Sequence, residues 1–198
     1  MSEVAPETPT AGLPLGQVTP NRPAGGEPLT HGTLETSGGR PALRFELVLS
    51  HPVERVWRAI SVPAELGSWF PAAVEWTPAV GESFVAGGAT LEVTAVAPPR
   101  QLAWVYAGQP QRFELARAEQ GCRLTFTHVI DDGTPAAQTA AGWEAYLSRL
   151  GPHLDGRGIS EQVAHQGWAE IHERYVELFG VDPAPGRRFA DALRTAQE

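Results

Sequence analysis

"ALRFELVLSHPVERVWRAI", residues 42–60, changes its hydrophobic period half-way along. Leu43, Phe45, Leu47 and Leu49 alternate with the polar Arg44 and Glu46, the pattern of a strand with one buried face. After His51 the apolar residues Val53, Val56, Trp57 and Ile60 recur at helical spacing. Pro52 suits a first helical position, where a missing N–H leaves no bond unmade. "SVPAELGSWF", residues 61–70, then predicts a second short helix, opened by Pro63 and stopped near Gly67. A first strand followed by two short helices is therefore expected.

From Val74 to Val129 the period returns to two. Turn signals at Gly87-Gly88, Pro98-Pro99, Gly108–Pro110 and Gln120-Gly121 recur about every 10–12 residues, the rhythm of an antiparallel meander. Phe113 and Leu115 oppose Arg112 and Glu114; Leu124, Phe126 and His128 oppose Arg123, Thr125 and Thr127. Helical spacing follows from about Pro135 to Leu154, breaks at "DGRGIS", and resumes from Ser160 to Phe179. Ser160 is a suitable N-cap and Gly180 a suitable residue past the C-terminus. Pro152 predicts a kink near Gly151. Strand, short helices, meander and long C-terminal helix make an α+β domain with helices on one face of a curved antiparallel sheet.

Composition sets the outer limits. The first 40 residues hold six Pro, seven Gly and no aromatic residue, too little apolar surface to offset ordering entropy, and read as a disordered tail whose one place to order is near "GTLETSGGR", residues 32–40, just before the domain. Fifteen of the sixteen aromatic residues lie between Phe45 and Phe179, which places the domain at residues 41–180. Residues 181–198 form a C-terminal tail with a short helix through Phe189 and Leu193. The net charge of −8, with no Lys, argues against nucleic acid as a partner. No apolar run reaches the ~18 residues of a membrane span, no secretory signal opens the chain, and Cys122 stands alone. A cytoplasmic protein is expected.

"LRFELVLSHPVERVWRAISVPAELGSWFP", "VAPPRQLAWVY", "GCRLTFTHV", "AAGWEAYLSRLGPHLDG" and the ending Trp168…Tyr175…Phe179-Gly180 occur in a meaningful order. Together they resemble the START-like helix-grip superfamily, specifically its bacterial branch similar to the C-terminal domain of the activator of Hsp90 ATPase. The resemblance spans about residues 33–180. It implies a curved antiparallel sheet gripping a long C-terminal helix, with a cavity between them that holds apolar small molecules in relatives. Lipid carriers, hormone receptors, polyketide cyclases and co-chaperone domains share that fold, so fold alone does not assign function.

The cavity such a fold would enclose has candidate lining residues in each element. Trp69, Phe70 and Trp76 follow the second helix; Phe84, Trp104, Tyr106, Phe113, Phe126 and His128 come from the meander; Trp143, Tyr146, Leu147 and Leu150 come from the helix. Apolar walls with a few polar groups suit a small apolar or aromatic ligand. His128 is the titratable side chain on a predicted apolar strand face, and a histidine held by a backbone partner is favoured there over an acid–base catalyst. Gly142, beside Trp143, would let the helix approach the sheet closely. Cys122 shares the face of Leu124 and reads as a small buried hydrophobe.

His165 and His172 could share a helix face, but no third metal ligand accompanies them, and "HERYV" departs from the zinc motif at Val176. With no G-x-S-x-G, P-loop or G-x-G-x-x-G, no cofactor, metal or catalytic residue is assigned. Non-enzymatic binding of a small apolar or aromatic molecule is the expected function. The alternatives are an Hsp90 co-chaperone-like interaction domain, with a chaperone as protein partner, and a cyclase- or hydrolase-type enzyme using the same cavity.

Overall fold

The computed structural model describes residues 31–71, 75–86 and 88–195. Residues 1–30 of the expected tail, Val74 and Gly87 lie outside that range. Seven strands form one antiparallel sheet: β1 (Thr33–Ser37), β2 (Arg40–Leu49), β3 (Ser83–Ala86), β4 (Ala89–Ala97), β5 (Gln101–Tyr106), β6 (Gln109–Ala118) and β7 (Gly121–Val129). Their order is β1-β2-β7-β6-β5-β4-β3, an open curved sheet in which the meander folds back so that β7 pairs with β2. Helices α1 (Val53–Ser61) and α2 (Pro63–Leu66) follow β2 as expected. The C-terminal region holds α3 (Ala136–Leu147), α4 (Leu150–Leu154), α5 (Glu161–Ala164), α6 (Trp168–Phe179) and α7 (Ala184–Thr195). Among the described residues no helix is long and apolar enough to cross a membrane.

Register decides which side chains face the core. Phe45 pairs with Phe126, Phe126 with Phe113, and Phe113 with Leu102, one apolar row across four strands. The next row reads Leu43, His128, Gln111, Trp104 and Val93, and all five are buried. A slip of one residue would send each of these to the outer face. Gly121 adopts φ 129° at the start of β7, and a Cβ there would lie 2.2 Å from the Leu49 carbonyl oxygen. That close approach holds the β6–β7 turn against the end of β2.

Three boundaries differ from the sequence expectation. β1 lies inside the stretch assigned to the tail, where order is expected near "GTLETSGGR"; it holds one half-buried leucine, Leu34, and its order comes from pairing with β2. The chain just before it is also anchored: the Gly32 N–H donates to the Tyr175 hydroxyl at 2.7 Å. The helix expected to run to Leu154 breaks at Ser148-Arg149, earlier than Gly151. Pro152 has no N–H for the Ser148 carbonyl, and the irregularity falls on that residue, one turn before the proline. The helix expected over 160–179 divides at Gly167, whose φ of 78° ends α5 and starts α6. His165 and His172 therefore belong to different helical segments. Ser160 caps α5, accepting from the Val163 N–H, and Gly180 ends α6 at φ 64°.

Arg149, at that break, is buried, and its side chain reaches the corner after α2. Its guanidinium donates to the carbonyls of Trp69 at 3.1 Å, Ser68 at 2.9 Å and Ile159 at 3.2 Å. It fixes the corner that carries Trp69 and Phe70. The C-terminal segment is likewise packed onto the domain: Phe189 of α7 meets the Trp168 ring at 5.2 Å, and Arg187 forms two hydrogen bonds with Glu173. Gly186 sits on the His172 ring, where a Cβ would lie 2.1 Å from Nε2.

Two substitutions test these anchors. Arg149→Met should lower stability by about 3 kcal/mol in urea unfolding, because the buried Trp69 carbonyl and two partly buried ones lose a charged donor. Gly186→Ala should undock α7, seen as faster proteolysis within residues 184–195 and altered Trp168 fluorescence, with most of the remaining fold intact.

Candidate functional site

Edge-to-face and tilted ring contacts gather most of the candidate residues into one cluster. Phe126 of β7 lies 4.3 Å from Trp143 of α3 and 4.6 Å from Phe113 of β6, centroid to centroid. Phe70 bridges Trp143 at 6.0 Å and Trp104 at 5.7 Å. Trp104 contacts Phe113 at 5.3 Å, Phe84 at 6.0 Å and Trp76 at 5.8 Å, and Trp76 packs on Phe84 at 4.7 Å. Trp69 joins through Phe70 and Phe113. Leu147 and Leu150 are fully buried in the same core, whereas Trp76, Tyr106 and Tyr146 are half-buried at its margin. Tyr146 turns its hydroxyl outward, donating to Glu161 at 2.6 Å, with its ring against His165.

Gly142 does not serve as the close-approach position expected of it. A Cβ there would meet nothing within 4 Å, so Trp143 reaches the sheet without help from its neighbour. The tight glycine contacts occur elsewhere, at Gly32 against the Phe45 ring, at Gly121 and at Gly186.

A polar thread runs into this apolar cluster. The Trp143 indole N–H donates to His128 Nδ1 at 2.9 Å. An indole nitrogen can only donate, so Nδ1 must be the bare nitrogen, and the neutral ring carries its proton on Nε2. That Nε2–H donates to Gln109 Oε1 at 2.9 Å. The Gln109 amide donates onward to Thr134 at 3.0 Å and Asp131 at 3.3 Å, and Asp131 accepts from Arg40 at 2.7 Å. Gln111, buried beside His128, accepts from the Trp104 indole N–H at 2.8 Å. The expected backbone partner of His128 is thus replaced by two side chains, Trp143 and Gln109, with Gln111 a neighbour rather than a partner, and neither glutamine was among the candidate residues. Both glutamines share the strand parity of Phe113, the one sequence signal that marks them as inward-facing.

Burial pushes His128 down to about 4, with the Arg40 guanidinium acting in the same direction and the Asp131 carboxylate opposing both. His128 is accordingly neutral at pH 7, able to orient a polar group but without a proton to give as an imidazolium. Cys122 is fully buried, and burial pushes its thiol up to about 11, which keeps it protonated and unreactive. Among the described residues no group of three or more His, Cys, Asp or Glu side chains is placed to hold a metal ion.

A separate half-open pocket of about 290 Å3 lies at the start of α3, between Leu34, Ile130, Pro135, His172, Val181 and Gly186. None of the thirteen candidate residues lines it. Its walls come partly from Leu34 of β1 and from Pro185 and Gly186 of α7.

The lowered pKa of His128 sets a pH dependence. The unfolded chain takes up this proton near the ordinary histidine value of about 6.5, the folded chain only near 4. His128 therefore supports stability fully above about pH 6.5, and that support falls away as pH drops toward 4. Urea unfolding should show a loss of about 3 kcal/mol between pH 7.5 and pH 4. In His128→Gln, which can still bond Trp143 and Gln109, the slope across this window should flatten. An NMR titration placing the His128 ring near 6.5 would refute the assignment.

Residues 50–155, more than half of the chain, match the family model described as "Activator of Hsp90 ATPase homolog 1-like protein". No curated protein sequence matches the chain. Among solved structures, CalU16 from Micromonospora echinospora is similar at 22% identity and a TM-score of 0.61, over 76% of this chain and 96% of that one. A conserved protein of unknown function from Enterococcus faecalis, EF2215, is similar at 19% identity and a TM-score of 0.64, over 75% and 90%. Aha1 from Colwellia psychrerythraea, a dimer, is similar at 20% identity and a TM-score of 0.53, over 59% and 97%. At such identities these structures support the START-like fold alone. The family match, the strand order and the α3–sheet packing agree, and the chain belongs to the Activator of Hsp90 ATPase homolog 1-like family.

Proposed function

We propose that this protein binds a small apolar or aromatic molecule at the Trp76–Trp104–Trp143 cluster and does so without catalysing a reaction. The carrying observation is the convergence of rings from the α2 corner, β3, β5, β6, β7 and α3 into one continuous set of contacts, threaded by uncharged dipoles. Apolar walls with few convergent polar groups are what small-molecule sites present. Burial of ligand surface would supply the affinity at about 25 cal/mol per Å2, and the half-buried Trp76 and Tyr106 mark the side of the cluster that a ligand would reach first.

Two features favour binding over catalysis. His128 is neutral with its single hydrogen already donated to Gln109. The nearest carboxylate of the thread, Asp131, is paired with Arg40 at the surface. General acid–base work needs a group poised near the working pH and within reach of substrate.

A thermal-shift screen with fatty acids, flavonoids and aromatic polyketides tests the proposal. A binder at a hundred times its Kd should stabilise the protein by about 2.7 kcal/mol, a rise of several degrees in Tm, with a matching change in tryptophan emission. If no class raises the Tm, the proposal fails. If mass spectrometry finds a stabilising compound converted to product, and His128→Gln abolishes the conversion, the protein is an enzyme.

A further inference from the structure

Four tryptophans belong to the candidate cluster, and three of their indole N–H groups have acceptors inside the protein. Trp69 donates to the Ala59 carbonyl at 2.8 Å, Trp104 to Gln111 and Trp143 to His128. Among the described residues the buried Trp76 N–H has no partner. Its ring neighbours are Phe84 and Trp104, whose edges and faces offer no lone pair. A buried donor left without an acceptor costs about 1–3 kcal/mol, and such groups are rare enough in folded proteins to require a reason.

A second donor in the same neighbourhood is also unmet. The Gln111 side-chain amide approaches His128 Nε2 at 3.4 Å. Because Trp143 fixes the bare nitrogen as Nδ1, Nε2 carries hydrogen, and this contact sets two donors face to face. Turning the Gln111 amide over would place its nitrogen 2.8 Å from the Trp104 N–H, again donor against donor. Its oxygen is therefore committed to Trp104 and, among the described residues, its amide hydrogens lack an acceptor. Both unmet donors border the Trp104 indole, one at its ring and one at its nitrogen.

From these orphan donors we infer that the ligand of this cluster is an aromatic molecule carrying an uncharged hydrogen-bond acceptor, a ketone or quinone oxygen, which the Trp76 N–H receives. The inference rests on the reading of the cluster as a ligand site. An uncharged oxygen is specified because, among the described residues, no free cation faces the cluster. Arg149 is the buried charged side chain of the described core, and all three of its guanidinium nitrogens donate to backbone carbonyls. Arg40, at the outer end of the thread, is paired with Asp131. A carboxylate drawn into this site would lose its hydration with no counter-charge to replace it.

A matched pair of probes separates the two readings. Fluorene and 9-fluorenone share a tricyclic shape and differ in a CH2 against a C=O. Their affinities for the full chain are measured by quenching of tryptophan fluorescence and by calorimetry. The ketone should bind about tenfold tighter, one hydrogen bond to an otherwise unmet donor. In Trp76→Phe, confirmed folded by circular dichroism, the ratio of the two affinities should fall to about one. Equal binding of both compounds by the wild-type protein would overturn the acceptor inference and leave the binder reading standing. A preference that survives Trp76→Phe would overturn the assignment to Trp76. Failure of both compounds to bind would overturn the binder reading at this cluster and the inference with it.

Discussion

The hydrogen bond from Trp143 to His128 joins the C-terminal helix to the sheet, and much of the interior is arranged around it. An indole N–H and an imidazole nitrogen, both taken out of water, must satisfy each other or lose stability. Their meeting requires β7 to be in the register that turns His128 inward, which also turns Phe126 inward beneath the Trp143 ring. It requires α3 to lie across β7 at the height of that residue. It also settles the histidine tautomer, and so the direction of the hydrogen bond to Gln109, whose amide then donates to Asp131. One donor that can only donate thus orients the two groups next in line that could point either way, the imidazole and the Gln109 amide.

The same helix is held on its other side by a second buried polar centre. Tyr175 of α6, fully buried, donates to Glu144 of α3 at 2.5 Å and accepts from the Gly32 N–H ahead of β1. Arg174 completes the pairing of Glu144 at 2.6 Å. Burial, with the adjacent Glu144 carboxylate, raises the Tyr175 pKa, so it remains a hydroxyl able to donate and accept at once. Glu144 and Trp143 are neighbours in sequence and point to different sides of α3, one to α6 and one to β7. The grip on this helix is therefore two-sided.

The strand–helix switch at residues 42–60, the meander rhythm and the order of aromatic residues were legible because each depends on local periodicity. What escaped depends on distance. β1 has one half-buried leucine and is ordered by its partner strand, so its own pattern carries little signal. Gln109 and Gln111 look like ordinary polar strand residues until the register sets Gln111 beside His128 and Trp104. Gly142 attracted notice as the neighbour of a large side chain, yet the glycines that matter sterically, Gly32, Gly121 and Gly186, are recognisable only from what packs on them. Thirteen aromatic and aliphatic positions were picked out by parity and helical face. The cluster that most of them form follows from those periods, but which polar ends would be satisfied does not.

The choice of glutamine rather than a carboxylate beside His128 shapes what this interior can recognise. A buried Asp or Glu at position 109 or 111 would favour the imidazolium and make the thread an ion pair, with desolvation penalties that good geometry must offset. With two amides the inner part of the thread, from Trp143 to Gln109, stays neutral, and desolvation by burial keeps His128 unprotonated across the physiological range. Neutral dipoles in an apolar enclosure discriminate poorly by charge and well by the placement of donors and acceptors, because each unmatched polar group there carries its full desolvation penalty. Specificity at the cluster would then reside in where a ligand's oxygen falls relative to Trp76 and Gln111, while affinity would come from the rings around Trp104.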